Sequence, residues 1–385
     1  MAWPWPTWSA TAPPSSTAVG KGPPAILRVG PGRAIKTLAE AARRARNGDT
    51  VEVDAGEYRR DVAVWQQDRL TIRAAGGRVR LRADGASAEG KAIWVVRGGR
   101  IAVEGFDFEG TRVPSRNGAG IRFETGQLTV RDCRFIDNEM GLLTGNDPLA
   151  ELTVENSEFA HNQRPDGHNH QLYAGSIARL SVRGSHFHHA TVGHLLKSRA
   201  AVNHIFYNRL TDGPEGRASY ELEFPNGGVA VVVGNVIQQS ALTENPIMIS
   251  YAAEGYRWPA NALVLVHNTL VDKRPEGGVF LRVVPGDVFV KAVNNLLVGN
   301  DGRLETAAPG EYRGNFHVGW DAFAQPSDDD YRLVPGTRVP GSAEEPGEFE
   351  GLPLQPTKEY AHPRGTVELA GPPRHPGALQ RMAGH

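Results

Sequence analysis

A short pattern of alternating apolar and polar residues recurs along most of the chain. Each copy starts with an apolar–polar–apolar run, passes through a polar turn and ends on an apolar anchor, as in QLTVRDCRF, ELTVENSEF and RLSVRGSHF. The anchors are Phe108, Phe135, Phe159, Phe187, Leu210, Ile237, Leu270 and Leu297. Successive anchors are 27, 24, 28, 23, 27, 33 and 27 residues apart. This spacing is typical of a solenoid in which each repeat forms one coil.

The repeats predict strands without intervening helices. The Leu-x-x-Leu-x-Leu frame of leucine-rich repeats is absent, and a propeller blade would need four strands and roughly 40 residues. We therefore predict an all-β fold, a right-handed parallel β-helix. Asn208, Asn235, Asn268 and Asn295 each stand two positions before an anchor. Asparagine at a repeated turn tolerates left-handed backbone geometry and can hydrogen-bond along the stack.

The N-terminal region predicts a cap for the solenoid. The helically spaced apolar residues are Ile35, Leu38, Ala39, Ala42 and Ala45. They predict a short amphipathic helix that ends at Gly48, after which Val51 and Val53 begin the first strand. This opening resembles the start of many β-helix proteins of the pectate-lyase-like superfamily. We expect a disordered lead at residues 1–25, the β-helix at 26–300 and an irregular extension at 301–385 packed on the helix.

Charge and composition exclude several classes of protein. The 42 basic and 43 acidic residues give a formal net charge of −1, which does not favour nucleic-acid binding or a polybasic membrane contact. No run of 18 apolar residues predicts a membrane span. Cys133 is the single cysteine, so no internal disulfide can form, and we expect its thiol to be buried.

A second strand in each repeat, some ten residues after the anchor, carries the candidate chemistry. Aligned strands predict an inward row of Ile121, Leu143, Leu172, Leu196, Leu222, Ile249 and Leu281. The residues that follow them form the outward row of Arg122, Thr144, Tyr173, Lys197, Glu223, Ser250 and Arg282. Strict alternation also turns outward the residues two positions earlier, which are Gln171, Leu195, Glu221 and Met248. Tyr173, Lys197 and Glu223 should then follow one another on adjacent strands of one exposed face, a natural groove for a linear polymer.

The candidate site residues cluster around this row. The candidate catalytic residues are Lys197, Arg199, Tyr173, Glu223, Glu221, His168, His170 and His194. The candidate substrate-binding residues are Gln171, Tyr220, Arg122, Tyr251 and Glu254. A Lys–Glu pair across strands is also compatible with an ordinary solvated surface pair. His168 and His170 could ligate a metal together, but no third ligand is evident, so we predict no metal site.

The stretch HLLKSRAAVNHIFYNRL resembles the catalytic coil of the β-helix lyases that include chondroitinase B and one group of alginate lyases. In that family a Lys followed by Ser, on a strand entering a turn, is the Brønsted base, which corresponds to Lys197 and Ser198 here. The resemblance covers about two coils. An Arg on the next coil helps as acid in the family, whereas here that coil reads SYELEFPNGG. The resemblance also implies calcium, although the family's acidic calcium-binding cluster is not recognisable.

These observations predict a polysaccharide-degrading enzyme, a lyase that cleaves a uronate-containing polysaccharide by β-elimination. Such an enzyme needs a base, an acid for the leaving oxygen and a cation beside the carboxylate. Lys197 serves as base if Arg199 and partial burial lower its pKa; alternatively both cations neutralise the carboxylate while Tyr173 or a His moves the proton. The alternatives are a glycoside hydrolase using Glu221 and Glu223, a C5-epimerase and a non-catalytic glycan-binding β-helix. We expect a monomer outside the cell or in the periplasm, although residues 1–25 do not form a usual signal peptide.

Overall fold

The structure, a computed structural model, describes residues 23–299, 304, 308–337, 339, 341 and 343–383. Most of the predicted lead at residues 1–25 therefore lies outside the described residues. The first elements are β1 (Ile26–Val29), α1 (Leu38–Arg44), β2 (Thr50–Arg59), β3 (Ala63–Trp65), β4 (Leu70–Arg82), β5 (Ala92–Glu104), β6 (Phe106–Glu109), β7 (Ala119–Arg131), β8 (Arg134–Ile136) and β9 (Met140–Thr144).

Each following coil as far as β24 contributes three short strands, and the last two coils contribute two each in the described part of the chain. They are β10 (Glu151–Glu155), β11 (Glu158–Ala160), β12 (His170–Ala174), β13 (Arg179–Arg183), β14 (His186–His188), β15 (His194–Ser198), β16 (Val202–Phe206), β17 (Arg209–Thr211), β18 (Tyr220–Phe224), β19 (Val229–Val233), β20 (Val236–Gln239), β21 (Ile247–Tyr251), β22 (Ala262–Val266), β23 (Thr269–Asp272), β24 (Val279–Val283), β25 (Phe289–Val293), β26 (Leu296–Val298), β27 (Gly310–Arg313) and β28 (Phe316–Val318). The C-terminal elements are η1 (Trp320–Ala322), β29 (Phe323–Gln325), η2 (Pro326–Asp328), β30 (Asp330–Leu333), β31 (Glu348–Phe349), β32 (Leu352–Pro353), β33 (Lys358–Tyr360) and β34 (Thr366–Glu368).

The strands of successive coils stack into three parallel sheets and make about ten turns, which confirms the predicted right-handed parallel β-helix. The first sheet runs through β10, β13, β16, β19, β22 and β25. The second runs through β11, β14, β17, β20 and β23. The third sheet, called the groove sheet below, runs through β9, β12, β15, β18, β21 and β24.

The anchors stack inside the coil as the repeat predicts. The rings of Phe108, Phe135, Phe159 and Phe187 form one column, with centroids 5.0, 4.6 and 4.7 Å apart and planes within 7° of parallel. Leu210, whose strand is next in the same sheet, continues the position after Phe187. All of these side chains are fully buried, so the column forms part of one continuous apolar core.

Buried asparagines form a ladder at the corner between the first two sheets. The Asn235 side-chain oxygen accepts hydrogen bonds from the backbone and side-chain nitrogens of Asn208, at 2.8 and 3.0 Å. Asn268 and Asn295 repeat this arrangement. The ladder confirms the predicted hydrogen bonding along the stack. The prediction placed the left-handed conformation one residue too late. It falls on the residue before each Asn, for example on Tyr207 with φ 57° and on His267 with φ 51°.

The N-terminal cap differs in detail from the prediction. The helix covers only Leu38–Arg44 and packs against β1 and β3. The Thr37 hydroxyl caps its first turn by accepting a hydrogen bond from the Glu40 backbone nitrogen. Val51 and Val53 do not begin the first strand, because β1 precedes the helix and pairs with β2. The apolar spacing marked the buried face but included residues outside the helix, such as Ile35.

The solenoid continues beyond the predicted boundary at residue 300. β27 pairs with β25 and β28 pairs with β26, which adds strands of a further coil. The extension then forms three small antiparallel hairpins and packs back along the coils, burying Tyr331 and Leu354. None of the helices in the described part of the chain is long and apolar enough to cross a membrane.

Candidate active site

The groove sheet brings the predicted ionisable residues onto neighbouring strands. Tyr173 pairs with Lys197, and Lys197 pairs with Glu223, in the parallel ladder. The row continues to Ser250 and Arg282. In the other direction Leu143 occupies the position that was predicted for Thr144. The alignment was therefore one residue out on β9, where Leu142 takes the predicted inward place of Leu143 and lies in the core.

A break in strict alternation decides which side chains face the groove. The pairing runs from His170–His194 directly to Leu172–Leu196, and the residues between are not paired. Leu195 and Leu196 are both fully buried in the core. Two consecutive inward residues place His194 and Lys197, three positions apart, together on the outer side of the strand. The period of two assumed from the sequence fails at this point.

Lys197 lies in a compact ionic cluster. Its ammonium nitrogen is 2.8 Å from Glu223 Oε2, and the two side chains are only 11% and 4% exposed. His194 Nε2 lies 3.1 Å from the same oxygen. Burial pushes the Glu223 pKa upward, but His194 and Lys197 outweigh it, so the net shift is downward. Burial lowers the His194 pKa, which favours a neutral imidazole next to the carboxylate.

Arg199 forms the second half of the site. Its Nε donates to the Tyr173 hydroxyl at 2.8 Å, and Nη1 donates to the Asn226 side-chain oxygen at 2.8 Å. Its terminal nitrogens both bind the Glu254 carboxylate, with Nη2 at 2.8 Å from Oε1. Glu254 Oε1 is also 3.3 Å from Lys197 Nζ. The hydrogen bond from Arg199 is the main reason that the Glu254 pKa falls to about 2.

Aromatic rings border the cluster on one side. The imidazoles of His170 and His194 stack at 4.7 Å, and Tyr220 follows at 5.3 Å from His194. Burial, followed by the nearby cations, places the His170 pKa well below its ordinary value. His168 does not join the stack: its side chain is 81% exposed and lies 3.8 Å from Asp166. The predicted histidine pair is thus split between the groove and the loop.

Several predicted site residues do not face the groove. Glu221 is fully buried between the coils, and neither of its carboxylate oxygens has a hydrogen-bond partner among the described residues. Burial, reinforced by Asp212, raises its pKa well above the ordinary value. Gln171 also points inward, where its amide donates to the Asn162 backbone oxygen. Both corrections follow from the break in alternation described above.

Two predicted substrate-binding residues have other positions. Tyr251 is fully buried and donates its hydroxyl hydrogen to the Gly228 backbone oxygen. It therefore belongs to the core and cannot contact a polysaccharide in this conformation. Arg122 lies on the outward row but is separated from Tyr173 by Leu143, so it is outside the ionic cluster.

The groove does not fit the calcium site that the family resemblance implies. Calcium needs several free carboxylate or carbonyl oxygens around one point. Glu223 and Glu254, the carboxylates beside Lys197, are instead paired with cationic side chains. The described residues contain no group of three or more His, Cys, Asp or Glu side chains arranged to hold a metal ion. We therefore derive no step through calcium.

The sequence did not identify two of the residues that position Arg199. Asn226 lies in the turn after β18, and its buried side chain accepts a hydrogen bond from the guanidinium. Trp258 donates its indole hydrogen to the Arg199 backbone oxygen at 3.0 Å, from a position 59 residues later. Ser198, the partner of Lys197 in the family resemblance, is buried and contacts Asn203 at 2.5 Å, so its role here is structural.

A separate cleft lies under the C-terminal extension. It has a volume of about 510 Å³ and is lined by ionisable side chains, among them His186, His188, His189, Arg209 and His362. None of the predicted site residues lies in it. The candidate site is the groove, and its assignment rests on the ionic cluster rather than on cavity size.

The comparisons with known proteins concern the fold. No family model matches the sequence, and no curated protein matches it. The structure is similar to that of pectate lyase Pel9A, with a TM-score of 0.60 and 11% identity over 93% of this chain and 96% of that one. It also matches a pectin methylesterase from Aspergillus niger, with a TM-score of 0.36 and 12% identity over 76% of this chain and 93% of that one. The chain has the pectate-lyase-like parallel β-helix fold.

Proposed function

We propose that this protein degrades an acidic polysaccharide, and that it is a lyase cleaving a uronate-containing chain by β-elimination in the groove. The observation that carries the proposal is the grouping of Lys197, Tyr173 and His194 on adjacent strands of one sheet, with Arg199 directly after the second strand. Together they supply cations, a candidate base and candidate acids within a few ångströms. The fold supports the proposal because a β-helix face suits a linear polymer, but a fold alone does not determine chemistry.

The geometry suggests a role for each residue. The terminal nitrogens of Arg199 match the planar fork of a carboxylate, so Arg199 neutralises the uronate carboxylate. The Lys197 ammonium first releases a proton to solvent. As the free amine it then removes the proton α to that carboxylate, and the electron pair forms the new double bond as the glycosidic oxygen leaves. Tyr173, whose hydroxyl accepts a hydrogen bond from Arg199, donates the proton that the leaving oxygen requires. In the alternative, Lys197 helps neutralise the carboxylate while Tyr173 or His194 moves the proton.

A second candidate function is glycoside hydrolysis, with a different pair of carboxylates from the one expected. Glu221 is buried away from the groove, so it cannot act with Glu223. Glu223 and Glu254 both contact the Lys197 ammonium, at 2.8 and 3.3 Å, so their nearest oxygens are at most about 6 Å apart. That limit includes the separation used by retaining glycosidases, about 5–5.5 Å. An epimerase would begin with the same proton abstraction as the lyase.

The experiment is a screen of uronate polymers, including pectate, alginate and chondroitin, followed by ultraviolet absorbance, reducing-sugar release and NMR. A lyase product carries a conjugated double bond and absorbs in the ultraviolet. Reducing sugar without that absorbance would favour the hydrolase, and an altered sugar configuration without cleavage would favour the epimerase. Binding without any change would leave a glycan-binding β-helix. Because such polymers occur outside cells, we also propose an extracellular or periplasmic location.

A further inference from the structure

Glu254 reaches the groove from a loop rather than from the sheet. It lies in the connection between β21 and β22, where the Glu254 backbone nitrogen donates to the Pro225 oxygen at 2.8 Å. Its carboxylate covers both terminal nitrogens of Arg199 and approaches Lys197 Nζ at 3.3 Å. Arg199 is the cation that the proposed reaction requires for a substrate carboxylate. The protein's own carboxylate therefore lies where the substrate's carboxylate is needed.

The cation site does not depend on Glu254 for its shape. Arg199 is held from behind by Tyr173, through Nε, and by Asn226, through Nη1, each at 2.8 Å. Trp258 fixes the Arg199 backbone with a 3.0 Å hydrogen bond. If the Glu254 side chain turned away, the guanidinium would keep its orientation and would present its terminal nitrogens to the groove. A preorganised guanidinium of this kind binds a planar carboxylate through two hydrogen bonds.

The two carboxylates beside Lys197 differ in how easily they can leave. The Glu223 side chain is 4% exposed and is held by Lys197 and His194, whereas the Glu254 side chain is 45% exposed. Water solvates the Glu254 carboxylate when it turns outward, whereas Arg199 and Lys197 are only 19% and 11% exposed and need another anion in its place. Glu254 can therefore be exchanged for an incoming carboxylate at small cost. Its pKa of about 2 means that it stays ionised near neutral pH, so it leaves by competition and not by protonation.

We propose that Glu254 occupies the substrate-carboxylate position of the free protein and is displaced by the carboxylate of an incoming uronate. The inference rests on the proposed function, because it assigns one subsite of that groove. It makes Glu254 a determinant of specificity: a glycan without a carboxylate has nothing with which to replace the ion pair on Arg199. It also predicts that the internal carboxylate weakens the binding of acidic ligands.

The test compares Glu254→Gln with wild type in the binding of D-galacturonate, D-glucuronate and D-mannuronate, measured by ligand-observed NMR. These monosaccharides have no glycosidic bond to cleave, so binding is separated from turnover. D-galactose is the neutral ligand. The matched control is Glu344→Gln, since Glu344 is 49% exposed and pairs with Arg313 at 2.7 Å in the extension. Thermal unfolding of each variant verifies folding.

Glu254→Gln removes the carboxylate that competes with the ligand for Arg199, so uronate binding should tighten about 2- to 5-fold. Galactose binding and the Glu344→Gln variant should not change. Unchanged or weaker uronate binding in Glu254→Gln would overturn the inference, as would the absence of uronate binding to every form. Tighter binding without unsaturated product from any polymer would preserve the inference and reject the lyase. Weaker uronate binding in Glu254→Gln, together with unsaturated product from wild type, would overturn the inference and preserve the lyase.

Discussion

Phe159 provides a quantitative test of the solenoid interior. Its ring is fully buried and stacks between Phe135 at 4.6 Å and Phe187 at 4.7 Å, with interplanar angles of 7° and 4°. Replacing a buried Phe by Ala costs about 3–5 kcal/mol through lost burial and the cavity left behind. Each lost ring pair adds about 0.5–1.5 kcal/mol. Since Phe159→Ala removes two pairs, we expect a loss of about 4–8 kcal/mol in the free energy of unfolding.

Denaturant unfolding, followed by circular dichroism and by intrinsic fluorescence, measures this loss. Two probes are needed because the cooperativity of long repeat proteins can break down. Phe159→Leu, which keeps most of the volume but removes the stacking, should cost about 2 kcal/mol. Phe289→Ala is the matched control, since Phe289 is also on a solenoid strand but is 43% exposed. A loss for Phe159→Ala no larger than that for Phe289→Ala would refute the stacked interior.

Two further predictions concern buried polar groups. Asn235→Ala removes the acceptor for two Asn208 donors, so the free energy of unfolding measured with denaturant should fall by about 2–3 kcal/mol. A loss smaller than that of a surface Asn→Ala variant would contradict a stabilising asparagine ladder. Glu221→Gln should retain full activity, because Glu221 is buried away from the groove. The raised Glu221 pKa means that the unfolded carboxyl ionises first, so wild-type stability falls as pH rises above the unfolded value of about 4.3, whereas the variant lacks this fall. Denaturant unfolding of both proteins between pH 4 and pH 8 measures this effect. A stability difference between them that stayed constant across this range would contradict the prediction.

The repeat was sufficient to predict the solenoid and much of its interior. A residue spacing that returns to the same apolar position places equivalent side chains on top of one another, so Phe135 and Phe159 could be paired without a structure. The repeat spacing also correctly paired Tyr173, Lys197 and Glu223 across three strands. Register in a parallel solenoid is determined by the local pattern, which the sequence contains.

The composition of the site depended on features that the pattern does not contain. Leu195 and Leu196 both face inward on β15. Glu221 occupies the position of Leu195 on the next strand of the sheet and therefore also lies in the core. A hydrophobic pair in a strand gives no sign of whether one or both of its members are internal. Asn226 and Glu254 reach Arg199 from loops 27 and 55 residues away in sequence, and loop conformation sets those contacts. The sequence could therefore place the strands of the groove more accurately than the residues that complete it.

Lys197 provides the most direct test of the lyase assignment. Lys197→Ala should lower kcat by a factor on the order of 10²–10⁴ on the uronate polymer that wild type degrades, with a small effect on KM if Lys197 is the base. Lys291→Ala is the matched control, because Lys291 is 10% exposed and pairs with Glu311 at 3.1 Å on another sheet, compared with 11% for Lys197. The measurement is the initial rate of ultraviolet absorbance from unsaturated product for the three proteins at equal folded concentration. This rate should be lost in Lys197→Ala alone, and an undiminished rate in that variant would contradict the lyase assignment.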